Sequence, residues 1–260
     1  MIASSPLVEF FKRGEVARDV RLLAAQAGFA PRAHEQLAIL VLLLDDPDPE
    51  IRKTADNTLK RLPAEALSTF LSRSDVSAAL REFFAARGVL PASSPAATEA
   101  GDAPLVDVEV AEPGDEDLLA EDDDPMSVSQ RIAKMTFTQR LKAASKGTRE
   151  MRAILVRDTN KMIAAAVMSS PKLTEQEVEG IARMASVSED VLRMIASNRA
   201  WIKSYKILVG LVRNPKTPVA ISMNLLQRVN AKDLTQMAVD RNIPEPLRNA
   251  ARQKSVNSRQ

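Results

Sequence analysis

Ile163-Ala-Ala-Ala-Val-Met-Ser-Ser-Pro-Lys172 and Ile207-Leu-Val-Gly-Leu-Val-Arg-Asn-Pro-Lys216 lie 44 residues apart and follow one pattern. With that shift Ile163, Ala164, Val167, Met168, Pro171 and Lys172 fall on Ile207, Leu208, Leu211, Val212, Pro215 and Lys216, and Ile181 falls on Leu225. A shift of 42 then places Leu192, Ile195, Ala196, Arg199 and Trp201 on Leu234, Met237, Ala238, Arg241 and Ile243. Apolar residues meet apolar residues, and X-Pro meets X-Pro. A period of this length is one helix pair of a solenoid, a unit that buries its apolar face only against a neighbour. The expected fold is therefore all-α, a helical-repeat solenoid.

The pattern is echoed near the N-terminus. Residues 64–85 align without a gap on 231–252, with Ala64, Leu67, Leu80 and Arg81 identical to Ala231, Leu234, Leu247 and Arg248, and Phe70 and Val76 facing Met237 and Ile243. Asp46-Pro47 stands in register with Asn214-Pro215. The strings Leu44-Asp-Asp-Pro-Asp-Pro-Glu-Ile-Arg-Lys-Thr-Ala55 and Val212-Arg-Asn-Pro-Lys-Thr-Pro-Val219 resemble HEAT repeats and the related leucine-rich-repeat-variant repeats of bacterial proteins. Residues 130–254, through Gly147–Lys161, Ser186–Leu192 and Asn214–Pro218, are similar to a group of bacterial HEAT-like proteins of uncharacterised function. The resemblance implies a right-handed stack of antiparallel helix pairs with a binding or scaffolding role, and it lends no catalytic residues.

Composition agrees with helix. Aromatic residues are only 3% of 260, while Ala, Leu, Arg and Glu are common. The chain has no Cys, which excludes a disulfide framework, a thiolate nucleophile and a cysteine metal site. Its longest apolar run, Leu37 to Leu44, ends at Asp45 and falls far short of the roughly 20 residues that span a bilayer. No basic stretch followed by an apolar one opens the sequence, so no signal peptide is read and a soluble cytoplasmic protein is expected.

Charge is partitioned along the chain. Residues 1–90 carry 12 Lys/Arg and 12 Asp/Glu, residues 91–125 none and 12, and residues 126–260 carry 24 and 10. The middle stretch also holds five prolines and few bulky apolar residues, too little to offset the entropy of ordering. Three parts are expected: an N-terminal HEAT-like domain at 1–90, a disordered acidic linker at 91–125, and a basic C-terminal HEAT-like domain at 126–260. Thirty-five flexible residues span about 30 to 35 Å end to end.

Helix starts are marked by Ser5-Pro6, Asp48-Pro49 and Thr217-Pro218, each a capping side chain before a proline, and by the capping-box spacing of Thr174 and Glu177. One segment alternates as a strand does: Val106, Val108 and Val110 with Asp107 and Glu109 between them. It has no partner strand in the acidic stretch, so it is read as disordered, with docking on a partner as the alternative.

Little in the sequence points to chemistry. The single His, His34, has no Cys or second His to complete a nucleophilic or metal constellation and is read as structural. Glu175, Glu177 and Glu179 stand where a helix N-terminus favours negative charge, without any catalytic duty. No phosphate-cradling glycine pattern occurs, and Glu121 to Asp124 lack the glycine turn of a calcium loop. No catalytic residue, metal ligand or cofactor is assigned, and the chain is read as non-enzymatic.

The functional lead is the basic C-terminal part. If residues 199–213 run as one helix, Arg199, Lys203, Lys206 and Arg213 share a face, and Arg149, Arg152, Arg157 and Lys161 add charge on a neighbouring element. Trp201 and Tyr205, the only Trp and Tyr, either fill the core or stack on a ligand. The preferred reading is a protein-interaction scaffold whose basic face grips an acidic protein segment. Nucleic-acid binding is the alternative, with affinity falling steeply in salt, and an anionic membrane surface is a further one. Residues 107–124 are read as a solvated spacer, with folding back on the basic domain to compete with its partner as the alternative.

Overall fold

Short helices account for nearly all the regular structure in the computed structural model, which describes residues 5–29, 31–93, 103–108 and 125–257. Among these are sixteen α-helices, one 3-10 turn and no strand. The all-α expectation holds, and among the described residues no helix is long and apolar enough to cross a membrane. The helices are α1 (Pro6–Lys12), α2 (Arg18–Ala25), α3 (Ala33–Leu43), α4 (Pro49–Lys60), α5 (Ala64–Leu71), α6 (Ala78–Ala85), α7 (Pro125–Lys134) and α8 (Phe137–Lys146). After them come α9 (Arg149–Leu155), α10 (Lys161–Met168), α11 (Glu175–Arg183), α12 (Glu189–Ser197), α13 (Tyr205–Arg213), α14 (Val219–Leu226), α15 (Ala231–Met237) and α16 (Glu245–Asn257).

Starts follow local stereochemistry. The Ser5 and Asp48 side chains accept from the N–H groups of Val8 and Glu50, each ahead of a proline in the first turn. Thr174 and Glu177 close both halves of a capping box. The third proline start differs: Pro218 itself takes the cap position of α14, and Thr217 is buried behind it.

Two compact units result, Met1–Leu155 with Met162–Lys172, and Val156–Lys161 with Leu173–Gln260. They do not part at the acidic stretch, because helices beyond it pack on the N-terminal ones. In the first unit α8 packs on α2, and after α10 the Ser169 carbonyl accepts from the Arg32 N–H at 3.2 Å. Two pieces of the expected linker are likewise held: the Ala92 N–H donates to the Ser68 carbonyl, and residues 103–108 lie against α3 and α8. In the second unit α13 packs on α11 and α14, and α16 on α14 and α15. Gly210 permits the first of these contacts, since a Cβ there would stand 3.3 Å from both Ala182 Cβ and Arg183 Cγ.

One device recurs at the turns. At Asp46, Ser170 and Asn214, all buried and all followed by proline, a side-chain oxygen accepts the N–H two residues on, at 2.9, 3.3 and 3.0 Å. Each side chain also reaches an earlier element. Asp46 accepts from Arg21 at 2.9 Å, Ser170 donates to the Ser145 carbonyl at 2.7 Å, and Asn214 donates to the carbonyls of Ala182 and Met184 at 2.9 and 3.0 Å. A second set, Asp158, Asn198 and Asp240, forms the same i to i+2 turn. Residues paired by the 44-residue shift are buried alike: Ile163 with Ile207, Val167 with Leu211, and Ile181 with Leu225.

Glu35 is the one buried carboxylate of α3. It accepts from the Ser169 hydroxyl at 2.8 Å. Loss of hydration pushes its carboxyl above the usual range, and His34, the Ser5 and Ser169 hydroxyls and Arg32 only partly oppose this.

Two outcomes are expected in urea unfolding followed by circular dichroism. Asn214→Ala strands the Ala182, Met184 and Lys216 backbone groups and costs about 2 to 4 kcal/mol, whereas Asn198→Ala at its half-buried turn costs about 1 or less. A raised folded-state pKa means that the Glu35 contribution is lost as pH rises above the unfolded value of about 4.3, so Glu35→Gln stabilises near neutrality and not in acid.

Candidate functional site

Residues 199–213 do not form one helix. Asn198 leaves α12 with extended backbone, and its Oδ1 accepts from Ala200 N–H at 2.9 Å and from Trp201 N–H at 3.4 Å. A single 3-10 turn, Trp201–Lys203, follows, and Ser204 is extended before α13 begins. An Asn side chain that satisfies the following N–H groups offers the backbone an alternative to the helical ladder, and here the alternative prevails. Arg199 and Lys203 therefore stand on the connection between two helices, and only Lys206 and Arg213 lie on α13.

The eight basic residues fare differently. Arg199 and Lys203 are exposed, and neither has an ion pair with another described residue. Lys206 is 73% exposed and 3.9 Å from Glu179, the outer limit of an ion pair. Lys161 is exposed and bonded at 2.8 Å to Asp190, which raises the pKa of its ammonium. Arg157 is exposed between α9 and α10. These five lie with Arg213 in the second unit, while Arg149 and Arg152 belong to the first.

Two of the eight are not the surface cations that spacing predicts. Arg152 is buried, 5% exposed, and its Nη1 donates to the Gly147 carbonyl at 2.8 Å. Gly147 is tightly hemmed in, since a Cβ there would meet the Ala143 carbonyl oxygen at 2.4 Å. Arg152 is thus committed to the α8–α9 turn. Arg213 is half-buried and donates to Asp233 Oδ1 at 3.0 Å and Gln236 Oε1 at 2.7 Å.

Asp233 also accepts from the Tyr205 hydroxyl at 2.6 Å, and that hydroxyl accepts from the Asn230 N–H at 3.2 Å. This cluster fastens α13 to the first turn of α15. Burial first and the Asp233 carboxylate second push the Tyr205 phenol above its usual range, so it stays a donor. Tyr205 is 39% exposed and Trp201 is half-buried, so neither core filling nor full exposure describes the pair. The cluster's polar spacing, Tyr205 to Asp233, carries no helical period and was not readable as a unit.

Charge in this unit is lopsided. Residues 199–257 contain eleven Lys/Arg against three Asp/Glu, and of those three Asp233 is taken by Arg213 and Tyr205 while Asp240 closes the turn at Asn242. Of residues 107–124, read as a spacer or alternatively as folding back on the basic domain, 109–124 lie outside the described residues. Asp107 forms an ion pair with Lys146 of α8. Comparison with family models, curated proteins and solved structures returned no match.

Tyr205 is the only tyrosine, so its titration can be read directly. Phenolate absorbance of the native chain is expected to rise at a pH above the ordinary value of about 10, returning to that value in urea. Asp233→Asn lowers the native midpoint only part of the way, because burial is the larger cause.

Proposed function

We propose that the chain is a non-catalytic protein-interaction scaffold, built of stacked HEAT-like helix pairs, whose second unit grips an acidic protein segment. The repeated buried turn at Asp46, Ser170 and Asn214 supports the repeat reading. So does the shared burial of residues one period apart. The observation that carries the functional reading is the exposure of Arg199 and Lys203 on the α12–α13 connection, without an acidic partner among the described residues, in a segment with eleven cations and three anions.

Lys206, barely within reach of Glu179, extends that cationic patch, and Arg213 holds α13 in place from behind. Side chains of this kind are solvated before binding, so contact with carboxylates costs little desolvation and gains mainly through summed charge. Specific affinity then depends on several cations acting together along an acidic segment.

Fluorescence anisotropy with labelled polyglutamate and, separately, labelled duplex DNA tests the reading on the full chain. Polyglutamate is expected to bind, and Arg199→Glu with Lys203→Glu to weaken it about tenfold or more, a change of about 1.4 kcal/mol. Preference for DNA with a steep salt slope would replace the acidic protein by nucleic acid. Unchanged binding in the double variant would remove this surface from consideration.

A further inference from the structure

The helix α14 turns a face without charge toward solvent. Its outward positions are Val219, Ala220, Met223, Asn224 and the cap residue Gln227, and Val219–Leu226 contains no ionisable side chain at all. Val219 and Met223, one turn apart, are 44% and 37% exposed, and Ile221 is half-buried. A single exposed apolar residue is ordinary on any surface, but two that are neighbours on one uncharged helical face form a stripe.

The internal repeat supplies the comparison. One period of 44 residues earlier, the same positions are Glu175, Gln176, Glu179, Gly180 and Arg183 of α11. The inward positions match: Val178 with Ser222, Ile181 with Leu225 and Ala182 with Leu226 are all buried, so the two helices sit alike. On α11 the outer face is charged, with Glu179 bonded to Arg183 at 2.7 Å and 3.9 Å from Lys206 of α13. On α14 the counterparts of Glu175, Glu179 and Arg183 are Val219, Met223 and Gln227, and the counterpart of Lys206 is Ala250 on α16. Packing does not demand this loss of charge, since α11 folds with its charges in place.

Positive charge brackets the stripe. Lys216 ahead of α14 and Arg228 beyond it are exposed, and neither has an ion pair with another described residue. Arg228 donates to the Ile202 carbonyl at 2.8 Å, which sets the C-terminal end of α14 beside the 3-10 turn that carries Lys203. The stripe therefore adjoins the cationic connection. Residues 199–257 hold eleven cations and three anions, so a second copy docking through this face would set one positive surface on another. An acidic occupant with an apolar side meets both the charge and the stripe.

We propose that the outer face of α14 is the apolar anchor of this surface: a partner helix with apolar residues at i and i+4 seats them on Val219 and Met223, while its flanking carboxylates reach Lys216, Arg228 and Lys203. The inference rests on the acidic-partner reading and adds the feature that polyglutamate lacks. Exposed charge pairs each contribute little and are screened by salt, so the buried apolar contact supplies the larger part of the affinity. The unbranched Met223 side chain adapts to differently shaped apolar partners.

The test compares labelled peptides of equal length on the full chain by fluorescence anisotropy: repeats of Leu-Glu-Glu-Glu, repeats of Ala-Glu-Glu-Glu, and polyglutamate. The leucine peptide is expected to bind about tenfold or more tightly than the other two. Val219→Gln with Met223→Gln, both at solvent-facing positions, leaves the unfolding transition in place, brings the leucine peptide to the affinity of the alanine peptide, and does not alter polyglutamate binding. Lys216→Glu weakens all three. Equal affinity of the leucine and alanine peptides would overturn this inference and leave the acidic-partner reading standing; failure of all three peptides to bind would overturn both. Binding to phosphatidylserine vesicles, or a dimer in solution, that is abolished by the double glutamine variant would overturn the partner helix in favour of a lipid surface or a second copy.

Discussion

Helices of seven to thirteen residues have a large share of their backbone groups at their ends, where the ladder leaves donors and acceptors without partners. The whole structure depends on finding those partners inside the protein. Asn214 shows the solution most fully: one buried amide satisfies two carbonyls at the end of α11 and one N–H in its own turn. Ser170 and Asp46 do comparable work with shorter or charged side chains. Since such a side chain both shapes its turn and ties that turn to the preceding element, local conformation and tertiary packing are set by the same bonds.

The apolar pattern was legible because helical burial has a simple period. Leu192, Ile195, Leu234 and Met237 are buried as their spacing requires, and Thr174 with Glu177 forms its capping box. Polar residues were harder to read. Asn198 has two competing preferences, and only the energy of the finished turn decides that the helix stops there. Arg152 looks like any surface cation until Gly147 is seen to bring its carbonyl within reach. Glu35 and Ser169 are 134 residues apart, and no period connects them.

The basic surface was half legible for the same reason. Counting cations along 126–260 located the excess, but charge becomes available to a ligand only after internal partners are subtracted. Arg213 is consumed by Asp233 and Gln236, Lys161 by Asp190, and Arg152 by a carbonyl, which leaves Arg199, Lys203, Lys206 and Arg157 outward in the second unit and Arg149 in the first. The alternating segment at Val106 was visible as a pattern, yet the buried glutamine on α3 that bonds to its backbone carries no sequence signature.

All seven phenylalanines lie in the first unit, and the only tryptophan lies half-buried on the 3-10 turn of the second. Indole emission from this molecule is consequently a local gauge. It responds to events around the α12–α13 connection, beside Arg199 and Lys203. The chain thus comes with a built-in optical reporter on its basic connection.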